Sequence, residues 1–283
     1  MVNWGGRPAT FARARRRLLM LHGLGGSNTV WELVGPRLAE ELDAQITAVD
    51  LAGFGLTRAK PYSATVRANS VLVSGLLERY GEAELVGNSM GATVALMVAA
   101  GRPELVRALR LVTPALPQPS CGQPPVPILP HNWPAAIPGL GPLLVAQYAA
   151  SSPDERIVDD RLRRSFFDPR RIDPTIRAAL TALARARRNF PEAPHTYAAA
   201  THSLFSYLAS PIALCDLQCV QCPTQIIHGY EDRVIPLALA QAAVRARPDW
   251  KLDVIARCGH MPQLELPDEF ISALTACELV EGR

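Results

Sequence analysis

The sequence predicts an α/β protein, a doubly wound and mostly parallel sheet carrying an inserted helical segment. Three observations point to this fold class. The short continuous apolar run Leu18-Leu-Met-Leu21 matches a parallel strand covered on both faces, and Val106 to Val112 reads as another strand. Stretches of helical spacing separate these runs, so strand and helix alternate over short links up to residue 113. No strand signal appears between Pro114 and Leu208, and the alternation resumes at Thr224.

The chain opens with a turn at Gly5-Gly6-Arg-Pro8, and Ala9 to Arg13 is expected as one edge strand. The first strand ends in His22-Gly23-Leu24-Gly25-Gly26-Ser27. A helix is expected from Val30 to Leu42, with Trp31, Val34, Leu38 and Leu42 at helical spacing. Gln45 to Val49 is the next strand, and it runs into the glycine-punctuated Asp50-Leu-Ala-Gly53-Phe-Gly55-Leu-Thr57. Ser63 or Thr65 can cap a helix that reaches Tyr80 and stops at Gly81. Leu85-Val86 is a strand, the helix after Ser89 runs to Ala100, and Val106 to Val112 is a further strand.

Beyond Thr113 the character changes. Prolines crowd the stretch from Pro114 to Pro142 at a density that excludes the interior of helix or sheet. Leu143 to Leu208 is helical and rich in arginine. The expected organisation is therefore a core over 1–113, a helical insertion over 114–218 and the rest of the core over 219–283. A long insertion in a compact domain is usually functional. Thr224 to Ile227 and Lys251 to Ile255 complete the strands, with a helix at Leu237 to Arg247 between them and a terminal helix from Pro267 to Val280.

Composition removes several function classes. A net charge of +3 over 283 residues is too small to suggest nucleic acid, and the basic residues are almost all arginine, with only Lys60 and Lys251 as lysines. No apolar run reaches the roughly 18 residues that span a bilayer, and Leu18 to Leu21 after the arginine cluster is too short for a signal h-region, so no export signal is expected. Six cysteines without such a signal suggest reduced thiols in the cytoplasm. Cys215, Cys219 and Cys222, with His228 following, have a spacing open to zinc, but the cluster runs straight into a buried strand. Ordinary thiols are expected there, with no metal and no cofactor; dinucleotide and phosphate-loop motifs are absent.

The chemistry gathers at Gly87-Asn88-Ser89-Met90-Gly91, where an apolar run stops and a small-residue helix begins. A serine on a sharp strand-to-helix turn leaves no room for a Cβ at its flanks, which explains a glycine on each side. Nucleophilic serine chemistry also needs a base, a group to hold that base, and donors for an oxyanion. The carboxyl ends of parallel strands share one edge, and the loops leaving them here carry His22, Asp50, Ser89, Asp232 and His260. Ser89, Asp232 and His260 follow one another in the order this architecture requires.

In these motifs the chain resembles the α/β-hydrolases with a cap domain. His22-Gly23-Leu24-Gly25 is similar to the family's oxyanion loop, Asp50-Leu-Ala-Gly53-Phe-Gly55 to its D-x-x-G-x-G loop, and Gly87 to Gly91 to its nucleophile elbow. Gly229 to Pro236 and Gly259-His260-Met-Pro262 resemble its acid and histidine loops. The resemblance implies Ser89 as nucleophile, His260 as general base and Asp232 as the acid that orients it, with Glu231 as the nearest competitor. It implies the backbone N–H groups of Leu24 and Met90 as oxyanion donors, and His22 and Asp50 as organisers of their loops. Asn88 and Gly23 are expected against substrate, because Gly87-Asn-Ser-Met-Gly91 resembles the elbow of meta-cleavage C–C bond hydrolases, whose asparagine helps bind an acidic dienone. Their oxyanion loop usually continues Pro-Gly-Ala where this chain reads Gly25-Gly26-Ser27, so that likeness is partial. The expected activity is hydrolysis of a lipophilic carboxylic ester or related acyl compound, with C–C hydrolysis of a dienoate or a non-catalytic ligand receptor as alternatives. The apolar stretches Pro125 to Leu129 and Ile137 to Leu144 suggest the lipophilic group, and Tyr148, Tyr197, His131, His195 and His202 are further residues of the insertion that can face it.

Overall fold

The structure, a computed structural model, describes residues 1–5, 16–118 and 133–277. The expected strand at Ala9 to Arg13, the apolar run Pro125 to Leu129, His131 and the end of the terminal helix lie outside the described residues. Strands β1 (Val2–Trp4) and β2 (Arg17–Leu21) are followed by α1 (Gly35–Glu41), β3 (Gln45–Val49), α2 (Val66–Tyr80), β4 (Ala83–Asn88), α3 (Met90–Gly101) and β5 (Val106–Val112). Helices α4 (Gly141–Ser151), α5 (Asp154–Ser165), α6 (Pro174–Arg187), α7 (Ala193–Leu208) and α8 (Pro211–Cys219) come next. The chain then forms β6 (Thr224–Gly229), α9 (Leu237–Ala246), β7 (Lys251–Ile255), α10 (Pro262–Glu265) and α11 (Pro267–Ala276).

The strands form one sheet in the order β1-β3-β2-β4-β5-β6-β7. All neighbours run parallel except β1, which pairs antiparallel with β3 through Val2 opposite Ala48 and Trp4 opposite Ile46. Alternation along each strand divides the core between two faces. Leu19, Leu85, Leu111 and Ile226 pack with residues of α2, α3, α8 and α9, while Leu18, Met20, Val86 and Ile227 pack with residues of α1 and α11. Burial on both faces is why β2 carries the continuous apolar run Leu18 to Leu21, and β3, β4 and β6 are likewise buried along their whole length.

Two local expectations change. The helix expected over Val30 to Leu42 is a 3-10 turn at Asn28–Trp31, and α1 begins only at Gly35, because Pro36 fits the first helical turn and not an interior. The edge strand is the three-residue β1, whose Trp4 ring lies so close to Gly35 that a Cβ there would stand 2.4 Å from it. Elsewhere the signals hold: Thr65 Oγ1 accepts from the N–H of Ala68 at 3.1 Å to cap α2, and Gly81 ends it at φ +97°.

Between β5 and β6, α4 packs on α7, α5 on α6 and α8 on α3. Core positions come from α5 (Leu162), α6 (Leu180), α7 (Leu204) and α8 (Leu217). Among the described residues no helix is long and apolar enough to cross a membrane.

Candidate active site

Ser89 stands between β4 and α3 with φ +57° and ψ −117°, a conformation that L-residues rarely adopt. Backbone bonds hold it there: its N–H donates to Val112 O at 3.0 Å, and its carbonyl accepts from Ala92 and Thr93 at 3.0 and 3.2 Å. The flanking glycines are sterically required. A Cβ on Gly87 would lie 2.5 Å from Gly91 O, and one on Gly91 would lie 2.4 Å from Leu21 O.

The loop after β6 brings Asp232 to His260. Oδ2 of Asp232 accepts from Nδ1 of His260 at 2.7 Å, and both side chains are buried. Oδ1 accepts from the N–H groups of Val234 and Ile235 at 2.8 and 3.0 Å, so the carboxylate closes its own turn, while α9 starts later behind Pro236. Burial alone would raise the Asp232 carboxyl, but His260, His228 and the backbone donors outweigh it and hold the group below the usual carboxylate value. Donation from Nδ1 leaves Nε2 of His260 as the acceptor nitrogen. Among the described residues the Ser89 hydroxyl and this Nε2 form no hydrogen bond, a contact that in unliganded sites is often long. Glu231, the competing acid, accepts from the N–H of Cys258 at 2.9 Å and is spent on the loop.

The other expected residues organise loops. His22 is fully buried; its Nε2 accepts from Leu51 N–H at 3.0 Å, so Nδ1–H donates to Gly23 O at 2.8 Å. Burial pushes its pKa down to about 4, which keeps the ring neutral and ties the loops after β2 and β3 together. Asp50 accepts from the N–H and side-chain amide of Asn28 at 2.7 and 2.8 Å and from Leu56 N–H at 2.9 Å. The N–H groups of Leu24 and Met90 have no backbone acceptor among the described residues, as expected for Met90 at the first position of α3. Gly23 lies against the elbow, where a Cβ would stand 3.0 Å from Ser89 Cβ. Asn88 precedes Ser89 at the end of β4. Its amide nitrogen points into the protein, to Thr113 Oγ1 at 2.8 Å, His260 O at 3.3 Å and Val112 O at 3.4 Å.

Several residues at the site had no sequence signal. His228, considered only as a metal ligand, is buried with Nε2 3.0 Å from Ile235 O and 3.5 Å from Asp232 Oδ2; burial lowers its pKa. Glu265 accepts from the N–H groups of Gly259, Asp168 and Phe167 at 2.8, 2.8 and 3.0 Å and joins the histidine loop to the segment after α5. Arg161 of α5 donates to Gly25 O at 2.7 Å, and Arg187 of α6 donates to Gly55 O and Gly53 O at 2.8 and 2.9 Å. Among the described residues Arg161 has no carboxylate within 4.0 Å. Of the other insertion residues named from the sequence, Tyr197 reaches Gly25, with its ring 2.9 Å from where a Cβ would stand. Tyr148 bonds Asp160 at the surface and His202 bonds Ala136 O. Cys215 and Cys219 are exposed on α8, burial pushes the Cys222 thiol up to about 11, and no group of three or more metal-ligating side chains occurs among the described residues.

The elbow serine and the carboxylate-held imidazole lie on loops at one edge of the sheet. The chain belongs to the alpha/beta hydrolase family, whose model matches residues 18–273. It is 31% identical over 268 residues to a 2-hydroxymuconate semialdehyde hydrolase of Pseudomonas sp. (strain CF600), covering 90% of this chain and 84% of that one. It is 26% identical over 264 residues to a pimeloyl-[acyl-carrier protein] methyl ester esterase of Nitrosomonas europaea, covering 92% and 94%. Among solved structures, a 2-hydroxy-6-oxo-6-phenylhexa-2,4-dienoate hydrolase from Rhodococcus sp. strain RHA1 superposes with a TM-score of 0.71 at 24% identity, over 94% of this chain and 90% of that one. Family and relatives make the protein a hydrolase.

Proposed function

We propose that the chain is a cytoplasmic serine hydrolase that cleaves a carboxylic ester or related acyl bond through an acyl-Ser89 intermediate. The observation that carries the reading is the strained Ser89 between its two glycines, on the same sheet edge as the Asp232–His260 pair. In this reading Ser89 Oγ attacks the acyl carbon as its proton passes to His260 Nε2. The N–H groups of Leu24 and Met90 stabilise the oxyanion, and Asp232 stabilises the imidazolium. His260 then protonates the leaving alcohol, and a water activated by the same nitrogen releases the acid and restores the serine. The helices between β5 and β6 act as a cap over this edge. The apolar stretch Ile137 to Leu144, with Leu140 and Leu143 exposed, supports a lipophilic substrate.

The test is a fluorophosphonate with mass spectrometry, alongside p-nitrophenyl ester turnover by Ser89→Ala. An adduct on Ser89 and loss of turnover by about 10³-fold or more are expected; no adduct, or full activity in the variant, rejects the reading. For the lipophilic group, kcat/KM is expected to rise from acetate to octanoate, and a sharp preference for acetate rejects that part alone.

A second reading is hydrolysis of a C–C bond in a ring-cleavage dienoate; two similar proteins are named as hydrolases of 2-hydroxymuconate semialdehyde and of 2-hydroxy-6-oxo-6-phenylhexa-2,4-dienoate. Arg161 favours it as a cation without a carboxylate partner among the described residues, bound to the carbonyl of Gly25, the residue after the proposed donor Leu24. Turnover of a coloured dienoate, lost selectively in Arg161→Leu while neutral esters are still cleaved, is the outcome that would place this reading first.

A further inference from the structure

We propose that Thr113 is a positioning residue that, with Asn88, holds the backbone of His260 in line with Ser89; the inference rests on the roles proposed above for those two residues. Thr113 follows β5, is fully buried, and has φ +42°. A β-branched residue in that region is a steric outlier, and such outliers persist where the surroundings over-determine them.

The bonds around Thr113 show what determines it. Its N–H donates to Ile227 O at 2.8 Å, which fixes it to β6. Its hydroxyl has one proton to give and gives it to His260 O at 2.9 Å. The same oxygen accepts from Asn88 Nδ2 at 2.8 Å, and that amide also lies 3.3 Å from His260 O. The ring is closed on the other side by the Ser89 N–H, which donates to Val112 O at 3.0 Å. The residue before Ser89 and the residue after Val112 thus meet on the carbonyl of His260. Its N–H is held independently by Ser165 O at 2.5 Å. With both sides of its backbone fixed, the imidazole has only its side-chain torsions left, and Asp232 sets those. The elbow and the histidine loop therefore keep register through one hydroxyl. Threonine suits the task because its branched Cβ restricts the torsion that aims that hydroxyl.

Three variants test this with one set of readouts: the rate of Ser89 labelling by a fluorophosphonate, kcat and KM for a p-nitrophenyl ester, and the urea midpoint. Thr113→Val keeps the shape and removes the hydroxyl. It is expected to slow labelling and kcat together by about 10–100-fold with KM held within about threefold, the scale of a displaced catalytic group. Thr113→Ser is expected to restore both rates to within about threefold of wild type. Thr113→Gly relieves the backbone strain and is expected to remain as slow as the valine variant, which a purely structural role would not produce. A valine variant that labels and turns over like wild type overturns the inference, as does a serine variant as slow as valine. Should the valine variant fail to fold, a glycine variant as fast as the serine one overturns it equally. A wild type that takes no label at Ser89 overturns the proposed function and this inference with it, whereas a labelled wild type matched by Thr113→Val overturns this inference alone.

Discussion

Ser89 occupies a backbone conformation better suited to glycine, and the bonds from Val112, Ala92 and Thr93 keep it there. Strain of this kind costs about 1–3 kcal/mol. Ser89→Gly is therefore expected to be more stable than Ser89→Ala by about 1 kcal/mol in urea unfolding, after allowing for the freer glycine in the unfolded chain. Equal midpoints would mean that the turn is not strained. Gly91→Ala is expected to go the other way, losing about 3 kcal/mol because its Cβ would fall 2.4 Å from Leu21 O. These glycines were legible in the sequence because what they express is local, a Cβ with nowhere to go. Thr113 was not: its partner carbonyl lies 147 residues away, and a positive φ on a β-branched residue leaves no trace in composition or spacing.

At the level of elements, the strands buried on both faces were readable as apolar runs, whereas β1 is too short for any alternation to show. The ties between loops were not readable. Glu265 is the clearest case, because it reaches backbone donors 98 and 97 residues away in the segment after α5, as well as Gly259 beside the proposed base. Arg171 adds a 3.3 Å ion pair to the same carboxylate. Replacing Glu265 with alanine would leave three N–H groups and part of an arginine without their acceptor. The expected cost is about 3–5 kcal/mol in denaturant unfolding, with ester turnover falling along with it. A variant with unchanged midpoint and activity would show that water replaces the carboxylate at no penalty. His22 does the corresponding work between the loops after β2 and β3, and there the sequence did suggest a brace.

For the whole molecule, three buried groups at the sheet edge make stability sensitive to acid, all in the same direction. His22 has a folded pKa of about 4, below its unfolded value near 6.5. The unfolded chain therefore takes up a proton first. This contribution is complete above pH 6.5 and is lost as pH falls toward 4, amounting to about 3 kcal/mol for His22. His228, also lowered by burial, adds to the loss. Asp232, held below its normal value, adds its share only as pH falls through the carboxylate range. Urea midpoints from pH 7 to 4 are expected to fall steeply in wild type and less steeply in His22→Gln, which can both donate and accept; parallel curves would mean that His22 does not stay neutral. At this scale the alternation of strand and helix was visible in the sequence. Which inserted helices touch the core was not, since α8 packs on α3 through small and aliphatic residues that any helix can carry.

The arginines at 161, 171 and 187 reach from the inserted segment to carbonyls of loops that belong to the sheet edge. The segment therefore splints those loops, and it cannot be exchanged freely among relatives: a graft lacking arginines at the matching places would leave Gly25, Gly53 and Gly55 unsupported even if its own helices folded. The same reasoning marks where variation is tolerated. In α4 the side-chain bonds stay within the insertion, from Tyr148 to Asp160 and from Arg188 to Ala149 O. A lineage, or a designer, would find in α4 the helix that can be rewritten with least disturbance to the loops of the sheet edge.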